Sequence, residues 1–260
     1  MRSHKIKFIY QISSLRFFII ISALTIFIFN FLDILIFQTT RSFHVLFFTF
    51  FSKIIDPLSG VLDPFNIIIV CSLLIFFNLN VKYLLQNKIK LKLLQEKTGL
   101  EYTEIIDTFD FYLLVCKHWI WSLAVAGILC NIIKYIFGVA RPKYFFFEGF
   151  ERVDFFNALH KASSFPSGDT QAAFTLAILL AIYVKKYYWI IFTIASLMGI
   201  SRIFMSMHFP SDILFGAYLG SLIPILLYKL YYETMMDKYK GDKMISFSQF
   251  AKLTYWRIFI

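Results

Sequence analysis

Charge is what this chain has least of. Only 16% of its 260 residues are Asp, Glu, Lys or Arg, against roughly 25% in ordinary soluble domains, and that shortage excludes a water-surrounded globular domain. Cysteine is scarce as well. Cys71, Cys116 and Cys130 fall in or beside apolar stretches with no paired spacing, so neither a disulfide framework nor a zinc site is expected. There is no internal repeat, and no low-complexity segment beyond a bias toward Ile and Phe. A cleavable export signal is not expected either, because the first apolar stretch is too long for a signal-peptide core and no small-residue cleavage site follows it. It should remain as a first span.

What the chain does have is apolar surface: 59% of residues are hydrophobic and 20% aromatic. A helix needs about 20 apolar residues to cross the hydrocarbon core of a bilayer. Such stretches occur near Phe17 to Phe37, Leu62 to Leu79, Phe111 to Ile133, Thr170 to Val184, Tyr188 to Ile200 and Ile213 to Tyr228. The fourth and fifth reach spanning length if polar residues cap their ends. The expected fold is therefore an all-α integral membrane protein, a six-transmembrane-helix bundle in one domain covering 1–260.

Positive charge gives the orientation, since cytoplasmic loops retain Lys and Arg. With the N-terminus inside, the inner set holds Arg2, Lys5, Lys7 and Arg16, the lysines from Lys82 to Lys117, Lys185 and Lys186, and the basic residues from Lys229 to Arg257, or 18 of the 26. Both termini are then cytoplasmic, with a basic tail over 233–260. The net charge of +10 needs no nucleic acid, because lysines beside anionic head groups account for it. Phe43 to Ile55 is aromatic but too short to cross, and Asp56-Pro57 followed by Ser59-Gly60 is expected to end it, which suggests an interfacial helix on the outer face after the first span. The basic, then acidic, stretch from Val81 to Asp110 reads as a cytoplasmic helical connection.

Three polar clusters interrupt this apolar background, and the topology puts all of them on the outward face. They read Lys134-x6-Arg141-Pro142, Phe165-Pro166-Ser167-Gly168-Asp169 and Ser201-Arg202-x5-His208-x3-Asp212. Lys134 and Arg141 are two helical turns apart and are expected to share a face at the end of the third span, with the helix stopping before Pro142. Arginine grips two phosphate oxygens in a fork, and lysine supplies a point charge. Pro166 suits a first helical turn, where unpaired N–H groups and the helix dipole favour an anion and Gly168 permits close approach, with the Ser167 hydroxyl as a further donor. In the third cluster Arg202 closes a span and Pro210 opens the next. His208 sits before that helix and Asp212 in its first turn, where a carboxylate accepts the imidazole Nδ1–H and leaves Nε2 as a nucleophile. Three fixed cations and a histidine with a carboxylate partner amount to a phosphate-handling site.

Taken jointly, the clusters resemble the tripartite signature of the type 2 phosphatidic acid phosphatase superfamily, which includes bacterial lipid A phosphatases and undecaprenyl pyrophosphate phosphatases. The matched positions run from Lys134 to Asp212. The resemblance implies a metal-independent lipid phosphatase. His208 attacks phosphorus to form a phosphohistidine, Asp212 orients it, and Lys134, Arg141, Arg202, Ser167 and Gly168 hold the phosphoryl oxygens. It also implies a phosphorylated lipid as partner and the bacterial inner membrane as location, with the site facing the periplasm; the sequence leaves the oligomeric state open.

One position departs from that pattern. The family's second segment normally ends in a histidine that protonates the leaving group, and this chain has Asp169 there. A free aspartate ionises near pH ~3.9, against about 6.5 for histidine, so it is ordinarily a poor proton donor at neutral pH. Asp169 is either a general acid that is protonated in the complex or a group that positions water or substrate. A leaving group that needs little protonation, such as an anomeric sugar oxygen or a phosphate, suits the substitution. That favours lipid A first and undecaprenyl pyrophosphate second, with phosphatidylglycerol phosphate third. A non-catalytic lipid-binding or transport protein is the reading from a different class.

Overall fold

A computed structural model describes residues 10–79, 81–184, 187–239 and 246–259. Helix is the regular structure throughout them, apart from an isolated antiparallel bridge between Val139 and Val153. The order is α1 (Leu15–Arg41), α2 (45–61), α3 (Pro64–Asn78), α4 (Lys88–Thr98), α5 (Tyr102–Phe137), α6 (Pro142–Glu148), α7 (Gly168–Tyr183), α8 (Tyr188–Phe204), α9 (Pro210–Asp237) and α10 (Phe247–Phe259). Short π-turns lie within α1, α2 and α9.

Four apolar helical stretches are long enough to cross a membrane: Leu15–Arg41, Val45–Asn78 with an interruption at Leu62 and Asp63, Tyr102–Phe137 and Pro210–Asp237. Helices α7 and α8 are apolar but shorter, at 16 and 17 residues. The chain is a multi-pass membrane protein. One local expectation is corrected. Helix α2 does not stop at Asp56-Pro57; it continues to Val61, with a π-turn at Phe51–Ile55 immediately before the Asp56-Pro57 pair. The break comes instead at Leu62 and Asp63, where the Asp63 carboxylate accepts the Phe65 N–H at 2.7 Å and starts α3. His118 is fully buried inside α5, 4.7 Å from the Tyr232 ring. Of the basic residues assigned to the inner face, Arg2, Lys5, Lys7, Lys185, Lys186, Lys240 and Lys243 lie outside the described residues.

The chain divides into two compact units. The first comprises 1–66 and 122–226 and contains all three polar clusters. Its core is small: Phe51 and Ile55 of α2 meet Ala173 and Ala177 of α7 and Ala195, Met198 and Phe204 of α8. Glycines bring α9 close to α7, since a Cβ on Gly216 would fall 2.6 Å from the Ser167 carbonyl oxygen, and one on Gly220 only 2.2 Å from that of Gln171. The small-residue spacing Gly216-x3-Gly220 thus serves a contact between helices of one chain. Leu15, Ile19, Ile20, Ile26 and Phe31 of α1 stay exposed, as suits a helix whose solvent is lipid.

The second unit comprises 67–121 and 227–260. Val81, Leu85, Leu94, Ile105, Phe109, Phe250 and Leu253 form its core, with Phe250 stacked on Tyr112 at 4.5 Å. Asn87 caps α4 by accepting the N–H groups of Ile89 and Lys90, and left-handed Gly99 ends it. Arg257 of α10 donates to the Asn78 side chain at 2.9 Å.

Candidate active site

Lys134 and Arg141 do not share a helical face as expected. Helix α5 ends at Phe137, and Gly138 turns the backbone with a φ of 52°. A Cβ at that corner would lie 1.6 Å from the Asp154 carbonyl oxygen, so only glycine fits. The chain then runs extended to Arg141, which caps α6. The two cations converge nonetheless. Lys134 Nζ donates to the Ser163 carbonyl at 2.6 Å, and Arg141 Nη2 donates to the Ser163 hydroxyl at 3.2 Å. Burial works against the Arg141 charge and the Asp169 and Asp212 carboxylates work for it, with the net effect a pKa below that of a free guanidinium.

The second cluster ends in a helix start, as the sequence indicates, with Ser167 as N-cap and α7 beginning at Gly168. Pro166 precedes the helix, after a cis Phe165–Pro166 bond, instead of occupying its first turn. Ser167 is fully buried. Its hydroxyl oxygen accepts from the Thr170 hydroxyl at 2.9 Å, and its N–H donates to the Asp212 carbonyl at 3.0 Å. The structure thus places Ser167 as a cap that also ties α7 to α9. Gly168 packs against the Lys134 stem, with room for a Cβ 3.9 Å from it. Asp169 points out of the first turn of α7, its side chain 44% exposed and one carboxylate oxygen 3.4 Å from Arg202 Nη1.

The third cluster supplies the buried part of the site. Arg202 lies in the last turn of α8, and its backbone carbonyl accepts the N–H groups of Met207 and His208. His208 and Asp212 have relative exposures of 2% and 0%. The imidazole Nδ1 sits 2.8 Å from the Ser164 backbone carbonyl and 3.8 Å from the Asp212 carboxylate. At these distances the Nδ1–H donates to the carbonyl, not to Asp212. The carboxylate lies one layer behind, accepting the Ser164 hydroxyl at 2.6 Å and the Phe209 N–H at 2.7 Å. Ser164 therefore holds both partners, the ring by its carbonyl and the carboxylate by its hydroxyl. Burial lowers the His208 pKa below its ordinary value; the Asp212 charge opposes that shift and the Lys134 and Arg141 charges add to it. The imidazole is neutral at pH 7, and its Nε2 makes no hydrogen bond among the described residues.

Four groups outside the three clusters complete the surroundings. Asp56, read from sequence only as part of a helix stop, places Oδ1 2.8 Å from Arg202 Nη2. Asp33 is fully buried; its carboxylate pairs with Arg152 Nη2 at 2.5 Å and accepts the Ser211 N–H at 2.8 Å and its hydroxyl at 2.5 Å. Arg152 lies over the Phe209 ring at 3.5 Å, so this ion pair braces Phe209 and Ser211, the residues just after His208. Arg41 caps the end of α8 by donating to the carbonyls of Ile203 and Phe204. Of these, Asp33 is the one that residue type alone marks out, as an acid inside the apolar stretch Phe17 to Phe37. Among the described residues no group of His, Cys, Asp and Glu side chains is arranged to hold a metal ion.

The PAP2 superfamily profile matches residues 117–236, which contain all three clusters. A lipid A 1-phosphatase of Rhizobium johnstonii is 26% identical over 159 residues, covering 61% of this chain and 59% of that protein. A bacitracin transport permease protein BcrC of Bacillus licheniformis is 30% identical over 104 residues, covering 40% of this chain and 51% of that one. The chain thus spans less than two thirds of the length of either relative. A crystal structure of Aquifex aeolicus LpxE aligns with 77% of this chain and 96% of its own, at 25% identity and a TM-score of 0.42.

Proposed function

We propose that this PAP2 protein is a metal-independent membrane lipid phosphatase, with lipid A as its substrate. The observation that carries the reading is the convergence of Lys134, Arg141 and Arg202 beside a buried, neutral His208 whose Nδ1–H is tied to the Ser164 carbonyl. A tethered Nδ1–H leaves the Nε2 lone pair for attack on phosphorus. As the N–P bond forms and the O–P bond to the lipid breaks, the ring gains positive charge, and Asp212 at 3.8 Å is placed to stabilise it. The phosphoryl oxygens draw on the three cations and on Arg141 Nε and Arg202 Nε, buried donors with no acceptor among the described residues. Water then attacks the phosphohistidine and releases phosphate. Ser167 supports the cradle as a helix cap, and the amides at the start of α7 face the anion beside Gly168.

Lipid A is chosen for two reasons: the similarity to a lipid A 1-phosphatase, and Asp169 at the leaving-group position, which favours a substrate whose departing oxygen needs little protonation. Undecaprenyl pyrophosphate shares that property and is the alternative substrate, ahead of phosphatidylglycerol phosphate. The charge distribution supports six spans with α7 and α8 among them, cytoplasmic termini and a periplasmic site in the bacterial inner membrane, and the aromatic character of the stretch that begins at Phe43 supports an interfacial segment on the outer face. The lipid-binding or transport reading has the similarity to a transport permease protein in its favour, but binding alone has no use for an oriented nucleophile.

The test is phosphate release by purified protein from lipid A, undecaprenyl pyrophosphate and phosphatidylglycerol phosphate side by side, with His208→Ala as control. Release from lipid A that falls by at least a thousandfold in the variant is the expected result. Equal release by both proteins sinks the enzyme reading, and release from another lipid alone sinks the choice of substrate.

A further inference from the structure

Arg202 differs from the other two cations in its partners. Lys134 and Arg141 contact the neutral carbonyl and hydroxyl of Ser163, whereas Arg202 faces two carboxylates, Asp169 at 3.4 Å on Nη1 and Asp56 at 2.8 Å on Nη2. Asp169 belongs to the first turn of α7, where the helix dipole holds an acid in place. Asp56 comes from a separate element. Its position is set by the residues before it: Phe51 stacks on Phe204 at 4.4 Å, two residues beyond Arg202, and Ile55 is buried in the same cluster. The Oδ1 that faces Arg202 is buried, but the Asp56 side chain as a whole is 39% exposed, so the carboxylate borders water and is solvated if it leaves the guanidinium.

Any phosphoryl group that uses the Nη2 edge of Arg202 competes with Asp56. The outcome depends on charge. A phosphomonoester carries about −1.5 to −2 at neutral pH and outbids a single carboxylate, whereas a phosphodiester carries one charge and gains nothing by the exchange. An enzyme embedded in a bilayer is surrounded by phosphodiester head groups, any of which would otherwise occupy a fork of fixed positive charge. We propose that Asp56 is a specificity-determining counter-ion. It keeps monoanionic phosphodiesters off Arg202 and yields to the terminal phosphate of a monoester or pyrophosphate lipid. This rests on the phosphatase reading of the site and adds to it the basis of selection.

The experiment uses the full chain in detergent, with two neutral variants, Asp56→Asn and Asp56→Ser, and the acidic Asp56→Glu. Dimethyl phosphate and inorganic phosphate serve as competitive inhibitors of lipid hydrolysis, and calorimetry follows inorganic phosphate binding. The expected result is that the inhibition constant of dimethyl phosphate falls about fivefold in both neutral variants, as for loss of a partly exposed ion pair. That of inorganic phosphate changes by less than twofold, and Asp56→Glu restores discrimination. Equal shifts for both inhibitors, or none for either, overturn the proposal. Arg202→Ala separates this failure from that of the underlying reading. If the wild type binds phosphate and Arg202→Ala does not, while Asp56→Asn discriminates as the wild type does, only the role of Asp56 falls. If the wild type binds no phosphate, both fall.

Discussion

Replacing Asp212 by Asn isolates the charge behind the nucleophile. The amide keeps the shape of the carboxylate and retains an oxygen for the Phe209 N–H, which Asp212 accepts at 2.7 Å, and the Ser164 hydroxyl can turn to suit it. What disappears is a full negative charge 3.8 Å from His208 Nδ1. At an effective dielectric of about 20, two unit charges at that separation interact by about 4 kcal/mol. In the ground state the ring is neutral and most of this energy is not realised. During attack the ring becomes cationic, so the loss falls on the transition state and predicts a fall in kcat of roughly a thousandfold with little change in KM. The competing account assigns the orienting work to the Ser164 carbonyl, which alone accepts the Nδ1–H. Asp212 would then be a helix cap worth about 1 kcal/mol, and kcat would fall only about fivefold.

The pH profile gives a second reading of the same variant. Burial holds the His208 pKa below about 6.5, and the nucleophile is active when unprotonated, so kcat/KM should fall on the acid side with a midpoint below that value. The Asp212 charge raises the His208 pKa against burial. Removing it should move the acid limb to still lower pH. Steady-state kinetics from pH 4.5 to 8 on protein of unchanged thermal midpoint measure both effects. A loss of less than tenfold with an unmoved acid limb refutes the electrostatic role.

Two further predictions concern the frame that holds the site. Gly220→Ala places a methyl against the Gln171 backbone carbonyl, 2.2 Å away, where α7 cannot yield as a flexible side chain would; it should destabilise by about 1–3 kcal/mol, read as a lower thermal midpoint in detergent, and an unchanged midpoint contradicts the close packing. Asp33→Asn leaves Arg152 without its buried carboxylate and should cost about 3–5 kcal/mol. Adding Arg152→Gln should recover part of that loss, and strictly additive effects would show that the pair is not coupled.

The signature residues were legible because their chemistry is local. Pro210 opens a helix and Asp212 falls in its first turn, and each follows from residue type and spacing alone. Helicity and apolar spans were legible from composition for the same reason. What the sequence hid is long-range. Lys134 and Arg141 were assigned one helical face because seven residues make two turns, but left-handed Gly138 ends the helix between them. Their common partner, Ser163, was invisible because polar loop residues carry no periodic signal. Ser164 was missed for the same reason, although its carbonyl does what the spacing of His208 and Asp212 had suggested for the carboxylate. Asp33 and Arg152 are 119 residues apart, and only the fold makes them a pair.

The same long-range contacts set an order of engagement for an incoming phosphate. Lys134 and Arg141 are in direct contact with neutral groups, the Ser163 carbonyl and hydroxyl and the Met207 sulfur, and feel Asp169 and Asp212 only at longer range, so on the proposed reading they are the part of the site an approaching anion meets first. Arg202 is matched by Asp56 and Asp169 and offers little net attraction until one carboxylate leaves. An anion must therefore already be held by Lys134 and Arg141 before it can displace Asp56. At that point the transfer of Arg202 from carboxylate to phosphate adds a third cation to the phosphoryl oxygens beside His208. Binding and activation are thereby separated: the first two cations capture any anion, and the third is released only to a group with charge to spare for the exchange.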